Sequence, residues 1–177
     1  MIGLLRFGVA QGQTSIACAA LCLCLYGLIE VSLMALSTVT VSAVMKDSFR
    51  TEIQCSNPFV IDQPVGAGGK NEGPNPLEVF ISSLPACICA IARIVAMQRG
   101  IALRGVEAHA EADIDKDFLL GKTTEGRAGF VAIRVNVKID ADMTEAEKVA
   151  FLHEVEKRCP IADNIAGTTS ITAHVVA

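Results

Sequence analysis

The stretch from Asn75 to Gly100, NPLEVFISSLPACICAIARIVAMQRG, constrains this chain more than any other. Asn75 suits an N-cap, and Pro76 suits the first helical position, where a missing N–H costs no intrahelical bond. Gly100 suits the left-handed residue that closes a helix. The roughly 24 residues between them make about 36 Å of helix at 1.5 Å per residue. Apolar side chains fall on nearly every side of it, and a helix of that kind belongs in a core or a membrane. Glu78, Ser82, Ser83 and Arg93 interrupt the run, and its flanks lack the charge pattern of a membrane span. The reading is therefore a buried central helix, carrying Cys87 and Cys89 just after Pro85.

The chain has 177 residues, enough for one domain with its own core. Fifteen basic against nineteen acidic residues give a formal charge of −4, which argues against a nucleic-acid binder, as does the absence of tryptophan beside a single tyrosine. Seven cysteines at irregular spacing do not read as a disulfide framework. Three of them, Cys18, Cys22 and Cys24, lie in an apolar segment within residues 1–33. Three readings are open for that segment: a targeting or anchor sequence, an extra helix, or residues upstream of a translation start at Met34. Residues 34–177 form the domain proper.

After Met34, alternation over 37–45 (Val39, Val41, Ala43, Met45) predicts a half-buried strand. Lys46-Asp47-Ser48 predicts a turn, and Phe49, Thr51, Ile53 and Cys55 a second strand completing a hairpin. Pro58 to Ile61 predicts a third. Gly66 to Asn75 reads as a flexible connector, since it lacks the first glycine and the Ser/Thr of a phosphate-binding P-loop. Beyond Gly100, Val106, Ala108, Ala110 and Ala112 alternate with polar residues. Val131, Ile133, Val135, Val137 and Ile139 give the clearest strand, one face buried and one wet. Thr144 with Glu147 is a capping box for a second helix, with Ala146, Val149, Leu152 or His153, and Val155 on its inner face. Lys157-Arg158 ends it, Cys159-Pro160 opens a further short turn, and Ile171, Ala173 and Val175 predict a last strand. The order βββ–α–ββ–α–β segregates strands from helices and gives an α+β class.

Cys87 and Cys159 are the candidate reactive residues. Cys159 falls between two helices, where backbone N–H groups and the adjacent Arg158 favour a thiolate. Pro85 removes a hydrogen bond to Ile81, and the expected kink would leave unpaired backbone beside Cys87. The bland alternative stays open: free cysteines are often small buried hydrophobes. Cys87 and Cys89 point about 200° apart on a helix and cannot grip one metal ion. The three histidines, His109, His153 and His174, have no catalytic context and read as surface or packing residues.

The segment GPNPLEVFISSLPACICAIA, followed later by VEKRCPIADNI, resembles the OsmC/Ohr family of thiol peroxidases, from about Thr38 to the C-terminus. The shared features are an Asn-Pro opening a long helix, a cysteine further along it, and a second cysteine in a Cys-Pro after a later helix. The resemblance implies an intertwined homodimer in which antiparallel sheets wrap two long central helices, with the sites at the interface. It implies an enzyme that needs no cofactor; with the charge, cysteine spacing and helix flanks read above, the expectation is a cytoplasmic protein that binds no metal or nucleic acid and does not engage membranes. In the implied chemistry Cys87 attacks a hydroperoxide and becomes a sulfenic acid. Cys159 condenses with it to a disulfide, and a dithiol, lipoyl-type or small thiol, reopens that bond. In the organic-hydroperoxide-resistance branch an arginine, oriented by a glutamate after the Asn-Pro, lowers the thiol pKa. Here Leu77 holds that glutamate position and the acid comes at Glu78, nine residues before Cys87 and about 180° around an ideal helix. Arg50, on the second strand, is the basic candidate. The apolar neighbours of Cys87 suit an organic hydroperoxide. The rival reading is a non-catalytic OsmC-like module that binds a small apolar ligand or senses oxidants.

Overall fold

The computed structural model describes residues 36–176, so the expectations for residues 1–33, including Cys18, Cys22 and Cys24, lie outside the described residues. Val41–Ala177 forms one compact unit. In chain order its elements are β1 (Ser42–Met45), β2 (Thr51–Gln54), β3 (Phe59–Ile61), α1 (Pro76–Arg99), β4 (Gly105–Ile114), α2 (Lys116–Leu119), β5 (Phe130–Asp140), α3 (Glu145–Lys157) and α4 (Pro160–Ala166). A short 3-10 turn, Val65–Ala67, lies between β3 and α1. The class is α+β, as expected.

β1, β2 and β3 form an antiparallel sheet in that order, with Ala43, Ile53 and Phe59 in one row and Met45, Thr51 and Ile61 in another. The first strand is shorter than the alternation over 37–45 suggests and begins only at Ser42. The hairpin turn falls at Lys46–Ser48 as predicted. β4 and β5 form a long antiparallel ribbon. Against it lies α1, which also packs on α3 and α4, whereas the three-stranded sheet makes few contacts with these helices.

The caps of α1 are those its sequence announces. Asn75 accepts from the N–H groups of Leu77 and Glu78, the Glu78 carboxylate accepts from Asn75 N–H at 2.8 Å, and Gly100 takes the left-handed conformation. The helix runs unbroken through Pro85. A proline removes one N–H from a long ladder, and here the flanking turns hold, with the Ser82 and Ser83 hydroxyls donating to the Val79 and Phe80 carbonyls.

The expectation of a helix buried all round needs correction. Leu84, Ile88, Ala92, Val95 and Ala96 are buried in the core with Leu103, Ile139, Phe151, Val155 and Cys159. Ile94 and Met97 remain exposed at 42% and 74%, and Leu77 and Phe80 are open as well. One stripe of α1 is covered and the opposite one is not. The same length and hydropathy would suffice to cross a bilayer, but the covered stripe is a protein core.

Three further differences follow from packing. In α3 the inner face is Phe151, Leu152, Val155 and then Cys159, while Val149 is 69% exposed and Ala146 is exposed. Both stripes share Leu152 and Val155, and burying the larger Phe151 turns the helix by part of a turn. In β5 a bulge makes Val131 the extra residue, because Ile114 pairs with Phe130 while Asp113 pairs with Ala132. Val131 is thereby turned out, 60% exposed, and Phe130 takes the inner side. Finally, the predicted last strand is absent among the described residues. Ile171 and Val175 are fully open, because no neighbouring strand in this unit pairs with them.

Candidate active site

Cys87 sits midway along α1, partly buried and packed against the core beside Ile91. Cys159 follows the C-cap of α3 and is itself the N-cap of α4. Pro160 occupies the first helical position, and the Cys159 Sγ accepts from Ala162 N–H at 3.4 Å. The packing of α1 on both α3 and α4 brings the two cysteines together. The Cys87 thiol faces the Cys159 sulfur, and the Ile161 N–H points at it. Both are thiols, and Cys159 is fully buried.

Burial pushes the Cys87 thiol above the ordinary range, and the neighbouring Cys159 sulfur adds to this by accepting its proton in a hydrogen bond. The Ile161 N–H, which favours the anion, offsets only part of it. The two thiols are therefore neighbours, and among the described residues no positive charge acts to lower the Cys87 thiol.

The other expected contributors lie elsewhere. Arg50 donates from its guanidinium to Glu52 at 2.7 Å and to Glu72 at 2.8 Å, on the rim of the N-terminal sheet. Glu78 is occupied as the N-cap partner of Asn75. Arg158 turns to Glu154 at 3.4 Å rather than toward Cys159. Cys89 points toward the β4 side, its Sγ 3.7 Å from the Val106 carbonyl oxygen, so the two members of the Cys-x-Cys face different partners. His109, His153 and His174 are exposed.

The supposed flexible connector is a built loop. Asp62, 1% exposed, accepts from the N–H groups of Gln63, Lys70 and Glu72 at 2.8, 2.9 and 3.1 Å. Gly69 and Gly73 lie so close to the Gln63 and Val60 carbonyls that a Cβ at either would stand 2.0 and 2.2 Å from the oxygen. Sequence reasoning missed Asp62 and Glu72. The signal present was glycine density, which reports close backbone approach as readily as flexibility.

It also missed a cavity of about 520 Å³ at the N-terminal end of α1, lined by Leu77, Phe80, Arg127, Phe130, Ile133 and Ile165 among others. Phe80 and Phe130 stack there with ring centroids 5.9 Å apart. The bulge at Val131 is what aims Phe130 inward, and a bulge is not legible in an alternating sequence.

A family model described as OsmC-like protein matches residues 69–174, which include the helix, both cysteines and the β4–β5 ribbon. The chain is similar to a protein of Mycoplasma genitalium named hydroperoxide reductase, 26% identical over 135 residues that cover 76% of this chain and 92% of that protein. Its fold is similar to that of an OsmC-like protein from Mycoplasma pneumoniae (TM-score 0.64, 22% identity, covering 74% of this chain and 89% of that one). It is likewise similar to an organic hydroperoxide resistance protein OsmC from Legionella pneumophila (TM-score 0.58, 22% identity, covering 75% and 92%). Since the family model spans more than half of the sequence and takes in both halves of the cysteine pair, the chain belongs to the OsmC-like protein family.

Proposed function

We propose that this protein is a thiol-dependent peroxidase that reduces organic hydroperoxides to alcohols. The observation that carries the reading is the meeting of Cys87 and Cys159, brought from α1 and the α3–α4 junction into one thiol pair. The Cys87 thiolate attacks the outer oxygen of ROOH, the O–O bond breaks, and the departing alkoxide takes a proton to give ROH and a Cys87 sulfenic acid. The Cys159 sulfur then displaces hydroxide, which leaves as water, and the disulfide forms. A dithiol reductant, lipoyl-type or small, reopens it by exchange. The name of the Mycoplasma genitalium relative and the family match support this class of reaction.

The working form is a cytoplasmic homodimer. Ile94 and Met97 on α1, Met45 and Phe59 in neighbouring rows of the N-terminal sheet, and the alternating tail of Ile171 and Val175 are all open within one chain. Together they exceed the scattered apolar exposure usual for a monomer. Because the N-terminal sheet packs little on its own helices, dimerisation lets it carry Arg50 toward a Cys87 at the interface. There a guanidinium would offset the burial that holds the thiol protonated.

A second reading, an OsmC-like module that binds an apolar ligand or senses oxidants, has one observation in its favour: Cys87 is held above the ordinary thiol range. The experiment compares peroxide consumption by the reduced protein, Cys87→Ser and Cys159→Ser, with cumene hydroperoxide and a dithiol. The peroxidase reading expects turnover in the wild type, none in Cys87→Ser, and a trapped sulfenic acid after one equivalent in Cys159→Ser. Wild-type consumption no faster than that of Cys87→Ser would leave the ligand-binding reading.

A further inference from the structure

We infer that Asp62 is a positioning residue for Arg50 and acts through Glu72: the buried carboxylate sets the loop from which Glu72 aims the guanidinium. The inference rests on the proposed reading in which Arg50 lowers the Cys87 thiol, and its first test is independent of turnover.

Arg50 immediately precedes Thr51 on β2, and Asp62 immediately follows Ile61 on β3, the partner of Thr51. The two residues therefore stand across from each other where the strands end. The Arg50 guanidinium donates from Nη1 to Glu52 at 2.7 Å and from Nε to Glu72 at 2.8 Å. The Asp62 carboxylate accepts from the N–H groups of Gln63, Lys70 and Glu72. Glu72 is common to both sets: its side chain accepts from Arg50, and its N–H donates to Asp62. Two contacts define the plane of a guanidinium, and one leaves it free to pivot. Glu52 supplies the first from the strand itself, so the direction of Arg50 is decided by where the loop holds Glu72.

The loop is built more strictly than a connector needs. Its run of glycine and polar residues, Gly66 to Gly73, loses much conformational freedom on ordering and offers little apolar surface in return. A buried carboxylate is costly too, unless its oxygens are paired. Here each requirement meets the other: Asp62, 1% exposed, takes three backbone N–H groups, and the loop gains a centre to fold around. Asn71 adopts the left-handed conformation at φ 58°, uncommon outside glycine, and its N–H donates to the Gln63 carbonyl at 3.0 Å. Strain and close approach of this kind persist where the surroundings over-determine a geometry, and they gather at functional sites. What the geometry delivers here is the Glu72 carboxylate at Arg50 Nε.

The test uses the full chain, below the melting temperature of every variant, and reads direction and turnover separately. By NMR the Arg50 Nε–H, held by a carboxylate, should give a resolved, slowly exchanging signal in the wild type. In Glu72→Gln it should move toward the position of free arginine and exchange faster. Asp62→Asn should do the same, although the Asp62 carboxylate bonds to the loop rather than to Arg50. Gly69→Ala, whose Cβ would stand 2.8 Å from an Asp62 carboxylate oxygen, disturbs the same centre without removing the charge and should repeat the effect. A wild-type Arg50 signal in folded Asp62→Asn or Gly69→Ala would overturn the assignment. With cumene hydroperoxide, Asp62→Asn and Glu72→Gln should each lower kcat/KM roughly threefold to tenfold, as misplacement of a positioned group does, and Glu72→Asp should recover part of it. Neither loss should add to that of Arg50→Ala. Equal losses with and without Arg50 would reduce Asp62 to a purely structural residue. Turnover untouched by Arg50→Ala would overturn the inference and leave the peroxidase reading intact. An Arg50 signal that answers to Asp62 in a protein without turnover would remove the peroxidase reading and leave the positioning standing.

Discussion

Arg50 donates from Nε to a Glu72 carboxylate oxygen at 2.8 Å, and so ties the entry of β2 to the loop that leads into α1. Both side chains are about two-fifths exposed, at 38% and 43%, and an ion pair in that setting adds little to stability. Glu72→Gln should therefore melt close to the wild type. Its effect belongs to the direction of Arg50, which Glu52 still holds at 2.7 Å. With cumene hydroperoxide, Arg50→Ala should lower kcat/KM by roughly tenfold to a hundredfold, as expected for loss of a stabilising charge. Glu72→Gln should lower it less. An Arg50→Ala protein with wild-type kcat/KM would exclude Arg50 from the reaction.

The buried Asp62 carboxyl is held below its ordinary value, first by the Glu72 N–H and then, against the opposing effect of burial, by those of Lys70 and Gln63. A depressed carboxyl stabilises the fold above the ordinary value of 3.8 and loses that contribution as pH falls through the folded pKa. Asp62→Asn should melt below the wild type at neutral pH, and the two curves should converge on acidification below 3.8. Parallel melting curves at every pH would contradict the role given to the charge.

For Cys87 the sign is opposite. A thiol raised above 9.0 keeps the neutral form favoured in the fold, so its contribution is full below that value and lost as pH climbs through the folded pKa. Iodoacetamide should alkylate Cys87 slowly at neutral pH, with a rate still rising beyond pH 9, when measured on the monomer. Removing the Cys159 acceptor in Cys159→Ala should move that profile toward lower pH. Dimerisation that delivers Arg50 should do the same, which is measurable as a concentration-dependent midpoint.

Phe151, fully buried where α3 meets α1, should cost about 3–5 kcal/mol when changed to alanine, read from urea denaturation. Val149→Ala, on the exposed side of the same helix, should change stability little. A large effect at Val149 and a small one at Phe151 would mean that α3 is turned the other way.

Much of the fold was legible because its signals are local. Asn75, Pro76 and Gly100 bound α1, Thr144 and Glu147 open α3, and Cys159-Pro160 starts α4, since caps and period depend only on neighbours in sequence. The candidate cysteines were legible by type and position, but the partners of Arg50, Glu78 and Arg158 were not. Arg50 takes Glu52 and Glu72, Glu78 the Asn75 N–H and Arg158 the Glu154 carboxylate, partners set by the loop, cap and helix turn around each.

By itself, then, the sequence determined the α+β element order, the capped helices that bear the candidate cysteines, and the family to which the chain belongs. Only the tertiary structure decided that Cys87 faces Cys159, that Phe151 rather than Val149 enters the core, and that Phe130 turns inward at the Val131 bulge. The tertiary structure also decided which acceptors every described arginine but Arg127 takes. The reason is common to all of these. A helix face or strand register is nearly degenerate in local energy, and the volume and hydrogen bonds supplied by distant segments choose among the alternatives.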